Sequence, residues 1–137
     1  MISRSHMPQI PKDSTDEFVE FLREHGIHVE MRRISGALLR PLQKHVNREK
    51  VDKFKQDQSA LSIPLIISKT GYILDGHHRW IARRELDPQA KMVCIWCKCP
   101  IKQLFELGHD FEHSFSKGVN EQLRLRTVVS SLAGQSV

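Results

Sequence analysis

The stretch GYILDGHHRWIARREL (Gly71–Leu86) decides the fold, because an apolar run ends abruptly at Asp75 and Gly76 and gives way to two histidines and an arginine. YILD has the apolar character of a buried strand, and the run HHRWIARREL contains no helix breaker before Asp87 and Pro88. The stretch therefore predicts a strand, a glycine turn and a helix of about ten residues in direct succession.

The first turn of this helix is predicted to bind phosphate. Its backbone N–H groups have no partner within the helix, its dipole favours negative charge, and Gly76 lets a ligand approach the backbone closely. Arg79 carries a fork of donors suited to phosphate, while His77 and His78 can donate hydrogen bonds or exchange protons near neutral pH. In the alternative interpretation, Asp75 caps the helix and nearby carbonyl groups satisfy the histidines.

A hairpin is predicted to lead into the helix. IPLIIS (63–68) and YILD (72–75) are two apolar runs separated by a short turn, in which Gly71 is expected to need a positive φ. Upstream, the alternation over Ile27–Ile34 predicts a first strand, and helical spacing predicts a helix over about Ser14–His25. These elements indicate an α/β (α+β) fold with a small mixed sheet and flanking helices.

Further elements complete this domain. Asn47 is placed to cap a surface helix over NREKVDKFKQ, and KMVCIWCKC (91–99) is predicted to form a buried strand. Pro100 opens a further predicted helix that ends at Gly108.

Three regions are expected along the chain: a flexible lead over 1–12, one domain over 13–108, and a C-terminal extension over 109–137. Within the extension, EQLRLRTVVSSLA (121–133) is predicted to form an amphipathic helix. Through this helix the chain is expected to form a homo-oligomer.

Composition narrows the class of protein. The chain has 137 residues and a formal net charge of +5, which suits one domain and a partner that carries phosphate. No apolar segment reaches the length that spans a bilayer, and the N-terminus lacks the apolar core of a signal peptide. We therefore expect a cytoplasmic location and no membrane partner.

A set of cysteines and histidines has a spacing near that of a zinc finger. Cys94 and Cys97 are followed by His109 and His113. Residues three apart on a strand point to opposite faces, so the two cysteines are not expected to reach one ion. We predict buried, reduced thiols and no zinc.

The motif ILDGHHRWIARREL, with IPLIIS before it, resembles the core signature of the ParB and sulfiredoxin superfamily. The resemblance extends upstream through RPLQKHVNREKVDKF and covers about Ile27–Pro100. It implies a ParB/sulfiredoxin-like domain in which a hairpin leads into a helix that holds the phosphates of a nucleotide or of nucleic acid.

The resemblance also implies roles for individual residues. The phosphate-binding set is Gly76, His77, His78, Arg79, Gln43, Lys44 and His45. The catalytic candidates are His78, Asp75 and His77. Asp75 is also the candidate for orienting Mg²⁺. Apart from the resemblance, Arg83 lies one turn after Arg79 on the same side of the helix, so Arg79, Arg83 and Arg84 form either a nucleic-acid track or a solvated helix face.

Two departures from the superfamily pattern affect the expected chemistry. Sulfiredoxin has a catalytic cysteine where this chain has His77, so reduction of a sulfinic acid is not expected. The free serine kinases depend on a glutamate near the position of Gln43, and Glu49 is the nearby carboxylate here.

Three functions remain as hypotheses. The first is a Mg²⁺-dependent hydrolase that acts on ATP, another nucleotide or DNA, as an ATPase, a DNase or both. The second is a nucleotide-dependent small-molecule kinase. The third is a non-catalytic DNA-binding or assembly module that keeps the pocket.

Overall fold

The fold is built on a four-stranded mixed sheet. The computed structural model of the chain describes residues 1–114. Its strands lie in the order β1-β4-β2-β3, and they are β1 (Val29–Ser35), β2 (Leu65–Ile67), β3 (Ile73–Asp75) and β4 (Lys91–Cys97). β4 pairs antiparallel with β1 and parallel with β2, and β2 pairs antiparallel with β3.

Five α-helices complete the described part of the chain. They are α1 (Thr15–Glu24), α2 (Arg48–Lys55), α3 (Gln58–Leu61), α4 (His77–Leu86) and α5, which covers residues 101–114. The α/β class with a mixed sheet is confirmed, as is the hairpin that leads into α4. The predicted strands and the first helix lie within two residues of their observed bounds, because strong apolar patterns and local breakers set them.

Alternate side chains of β4 belong to two different cores. Met92, Cys94 and Trp96 pack in a cluster on one face of the sheet, while Ile95 and Cys97 pack in the main cluster on the other. A strand buried on both faces gives the near-continuous apolar run seen in the sequence. The prediction that Cys94 and Cys97 point to opposite faces is confirmed.

Helices cover both faces of the sheet. Phe18 of α1 and Leu104 of α5 are fully buried in the main cluster. On the opposite face, Trp80 of α4 packs against the cluster of Cys94, and its indole N–H donates to the Gly36 carbonyl at 2.8 Å. α2 and α3 pack against α4 through a third cluster that contains Val51 and Ala82. The helix α4 is therefore held between the sheet and α2.

The prediction that the helix opened by Pro100 ends at Gly108 is wrong. α5 continues through residue 114, and Phe111 is buried in the main cluster at 6% exposure. Gly108 instead lets Pro8 pack closely against the backbone of α5, since a Cβ added there would lie 2.9 Å from Cγ of Pro8. The segment 115–137, which includes the predicted amphipathic helix and its self-association, lies outside the described residues.

Residues 1–12, predicted as a flexible lead, contact the rest of the fold. Met7 and Ile10 are buried, and Ile2 pairs with the loop that precedes α2 through hydrogen bonds to Leu42 and Lys44. Two buried side chains are too few to define a period, and Pro8 and Pro11 argue against a regular helix here, so the sequence pattern did not reveal this packing.

Within residues 1–114, none of the helices combines the length and apolarity that a membrane crossing requires.

Two glycines define the turns of the central motif. Gly71 has a φ of +90°, as predicted for the hairpin turn, and Gly76 has a φ of +107° directly before α4. Gly76 also makes a close approach, because an added Cβ would lie 2.3 Å from Cδ2 of Leu65 and 2.9 Å from Nη2 of Arg79. Both the backbone conformation and the space at this position require glycine.

We expect Gly76→Ala to lower the free energy of unfolding by about 1–3 kcal/mol, since it adds backbone strain and a steric clash. Urea denaturation of the purified protein measures the loss. Gly26→Ala is the matched control, because Gly26 has a φ of +79° but no heavy atom within 4 Å of an added Cβ. Equal losses in the two variants would contradict a role for close packing at Gly76.

We also expect removal of zinc by a chelator to leave the melting temperature unchanged, because Cys94 and Cys97 lie in clusters on opposite faces of the sheet. Burial raises the pKa of the Cys94 thiol to about 11, so it stays protonated at neutral pH. Differential scanning fluorimetry with and without chelator makes the comparison. Zinc found at one equivalent in the purified protein would overturn this expectation.

Candidate phosphate-binding site

A pocket of about 370 Å³ lies where β3 passes into α4. Residues 74–79 form one side of it, residues 7–9 and Arg4 of the N-terminal segment form another, and α2 with its following turn closes the rest. The N–H groups of the first turn of α4 have no acceptor within that helix. The predicted junction of strand, glycine and helix is therefore open to a ligand.

His77 connects the start of α4 to the loop that precedes α2 through hydrogen bonds. Its side chain is buried, and its Nε2 accepts hydrogen bonds from the backbone N–H groups of Leu42 at 2.9 Å and Gln43 at 3.0 Å. Burial, followed by the charge of His78, lowers the pKa of His77 to about 4. The ring is therefore neutral at pH 7, with its proton on Nδ1.

His78 repeats this arrangement one residue later. The N–H of Asn47 donates to its Nε2 at 3.0 Å. Partial burial and the positive charges of Arg4, Lys50 and Arg79 lower the pKa of His78 to about 4. Backbone amides, and not carbonyl groups, thus satisfy the two histidines, and each neutral ring keeps an Nδ1–H that can donate to an anion.

Arg79 is largely buried, with only 13% of its side chain exposed. Its Nη2 donates to the Pro64 carbonyl at 3.2 Å and to Oδ2 of Asp75 at 3.4 Å. Burial raises the pKa of Asp75, and the positive charge of Arg79 opposes that rise. Asp75 does not cap the helix, since Gly76 occupies the N-cap position and no side chain caps it.

Positive charge surrounds the pocket. Of its described lining residues, four are arginine or lysine and two are aspartate. Arg4 and Lys50 form no ion pair with any residue of 1–114, whereas Lys53 lies 3.8 Å from Glu49. Asp57 is already engaged as the N-cap of α3, where it accepts from the N–H of Ala60 at 3.1 Å. The free charge in the pocket is therefore mainly cationic.

Of the three loop residues predicted to bind phosphate, Gln43, Lys44 and His45, only Gln43 lines the pocket. Gln43 is buried, lines the pocket and donates through Nε2 to the His45 carbonyl at 2.6 Å. Lys44 and His45 are exposed and lie outside the pocket wall. The loop therefore contributes one polar side chain to the pocket, where the sequence predicted three.

Arg83 and Arg84 also lie outside this pocket. Nη2 of Arg83 donates to the Lys91 carbonyl at 3.3 Å. The guanidinium of Arg84 lies 5.7 Å from the ring centroid of Trp80, and its Nε is buried without a partner among the described residues. Arg84 therefore contributes to packing on α4.

Sequence reasoning missed Arg4, Lys50 and Lys53. Arg4 comes from a segment that joins the site only through long-range pairing of Ile2 with the loop, and no local pattern predicts that contact. The spacing of Lys50 and Lys53 could have predicted that their side chains lie together, because residues three apart on α2 lie on the same face.

Comparison with models of known protein families finds no match, and a search of curated proteins finds no significant similarity.

We expect the free energy of unfolding to fall as the pH drops from about 6.5 to about 4, by up to about 3 kcal/mol for His77. The pKa of His77 is lowered in the folded state, so the unfolded chain binds a proton that the folded chain excludes across this window. Urea denaturation at several pH values measures the loss.

His77→Gln isolates this effect, since its Oε1 can accept the two amide hydrogen bonds but does not titrate. The variant should lose less stability than the parent over the same pH range. His45→Gln, at an exposed histidine outside the pocket, should behave as the parent does. An identical pH dependence in His77→Gln and the parent would show that His77 does not cause the loss.

Proposed function

We propose that this chain is a ParB/sulfiredoxin-type domain that binds the phosphate groups of a nucleotide or of nucleic acid at residues 76–79 and hydrolyses them. The observation that supports this most directly is an open helix N-terminus behind Gly76 in a pocket with a cationic rim. The superfamily resemblance agrees with it, since a hairpin of β2 and β3 leads into α4 with D-G-H-H-R at the junction.

The two histidines have the properties of phosphate-binding groups. The Nε2 atoms of His77 and His78 accept from backbone amides, which leaves Nδ1–H as the available group on each ring. A neutral ring with an occupied Nε2 donates a hydrogen bond but does not take up a proton at pH 7. We therefore assign both histidines to phosphate binding.

Asp75 is the better candidate for proton transfer. It lines the pocket, and burial raises the pKa of its carboxyl group above the ordinary value. A carboxylate with a raised pKa is a stronger base for activating water. Arg79 donates to Oδ2 of Asp75 at 3.4 Å, and this contact restrains the carboxyl group at the pocket wall.

The pocket fits Mg²⁺ only together with a phosphate. Residues 1–114 contain no cluster of three His, Cys, Asp or Glu side chains that could hold a metal. Mg²⁺ at phosphate sites takes one or two carboxylates and completes its shell with phosphate oxygens and water. The ion would be held mainly by phosphate oxygens and water and would offset phosphate charge, and Asp75 would orient it through one of its waters.

The kinase alternative differs from this proposal in the residue it needs, and the non-catalytic alternative differs in having no turnover. The kinase alternative needs Glu49 as a base, but the Glu49 side chain is 80% exposed, pairs with Lys53 and does not line the pocket. A non-catalytic module would bind the same ligands without turnover. We therefore propose hydrolysis over transfer to a small molecule.

Binding is tested by calorimetry with ATP, ADP, CTP and a short DNA oligonucleotide, each with and without Mg²⁺. We expect Lys50→Gln to weaken the best ligand by about 1–3 kcal/mol, because it removes an unpaired charge from the rim of the pocket. Lys102→Gln is the control, since Lys102 is exposed on α5 and lies outside the pocket. Equal affinities in Lys50→Gln and the control would remove Lys50 from the site.

Hydrolysis is tested by steady-state phosphate or strand-cleavage assays on the same ligands. Asp75→Asn should lower kcat by about 10²–10⁴-fold while binding is retained, because the amide cannot accept a proton. Unchanged melting of Asp75→Asn is the control for folding. Binding without metal-dependent turnover in the parent would refute hydrolysis and favour the non-catalytic module.

A further inference from the structure

A second groove of about 220 Å³ lies on the other side of Arg79. Arg33 of β1, Arg83 of α4 and Lys91 of β4 reach it from three separate elements. Arg79 lines both this groove and the pocket at the start of α4. The two concave sites are therefore neighbours that share one guanidinium group.

The groove concentrates uncompensated positive charge. No aspartate or glutamate is present among its described lining residues. Arg33 and Lys91 are exposed and form no ion pair within residues 1–114, and the guanidinium of Arg83 donates to the Lys91 backbone carbonyl. Arg33, Arg83 and Lys91 have no carboxylate partner within residues 1–114, whereas Arg79 pairs with Asp75. Three unpaired cations favour a ligand with several negative charges.

The floor of the groove is apolar. Leu61 and Met92 are buried beneath it, and Val93 is 37% exposed at its edge. No aromatic side chain is among the described lining residues, so the apolar floor offers van der Waals contact rather than stacking. A cationic rim over such a floor suits a ligand that combines phosphate groups with sugars and bases. A duplex turns its bases inward and offers mainly phosphates, so it would leave this floor unused.

We propose that the groove extends the phosphate pocket into a binding path for a single-stranded polynucleotide, in which successive phosphodiesters contact the pocket and the groove on either side of Arg79. This inference rests on the proposed phosphate binding at residues 76–79 and names its ligand class. A mononucleotide would fill the pocket alone.

The test uses the double variant Arg33→Gln/Lys91→Gln, both at exposed positions. Its charge-matched control is Lys98→Gln/Lys102→Gln, at exposed positions outside both cavities. Fluorescence anisotropy measures binding of oligo(dT) and oligo(U) without terminal phosphate, of a DNA duplex, and of a labelled mononucleotide, at several salt concentrations. The comparison of oligo(dT) with oligo(U) identifies whether DNA or RNA is the preferred strand.

We expect the groove variant to bind the preferred strand about tenfold more weakly than the parent, with a salt slope smaller by about 1.4, since two phosphate contacts to a single strand are lost. Its mononucleotide affinity should equal that of the parent, and the control should match the parent throughout. Equal losses in variant and control, no loss in the variant, or duplex binding as tight as single-strand binding would overturn the proposal.

The outcomes also separate this inference from the proposed function. A parent that binds a mononucleotide but no oligonucleotide refutes the binding path and leaves phosphate binding at residues 76–79 in place. A parent that binds neither ligand refutes both.

Discussion

The site depends on the buried imidazole of His77, which accepts hydrogen bonds from two backbone N–H groups. The N–H groups of Leu42 and Gln43 both end on Nε2 of His77, and a buried amide without an acceptor costs about 1–3 kcal/mol. The same loop pairs with Ile2, which places Arg4 at the pocket. The start of α4, the loop and the N-terminal segment therefore depend on one neutral histidine.

This constraint divides the chemistry among the polar groups. A histidine whose Nε2 must accept from the backbone cannot also serve as a base through that atom, and this holds for His77 and His78 alike. The charge that attracts an anion comes from Arg4 and Lys50 on neighbouring segments. Asp75 is the lining carboxylate whose pKa burial raises. Under the proposed function, binding and proton transfer therefore fall to different residues.

Much of the fold followed from local pattern. The period of two in β1, the apolar run of β4 and the breakers around α4 act over a few residues, so they predicted these elements closely. Gly108 shows where the same reasoning fails. A glycine that ends a helix and one that admits a neighbouring segment look alike in sequence, and the contact with Pro8 lies a hundred residues away along the chain.

The sequence by itself determined the strand, glycine and helix order and the crowding of Asp75, His77, His78 and Arg79 in one turn, because these depend on neighbours within that turn. Only the tertiary structure decided what those groups can do. The acceptors and charges that set their protonation, such as the amide of Asn47 and the side chain of Lys50, come from distant segments. Burial lowers the pKa of His77 and raises that of Asp75, and these groups are buried only once the distant segments have packed together.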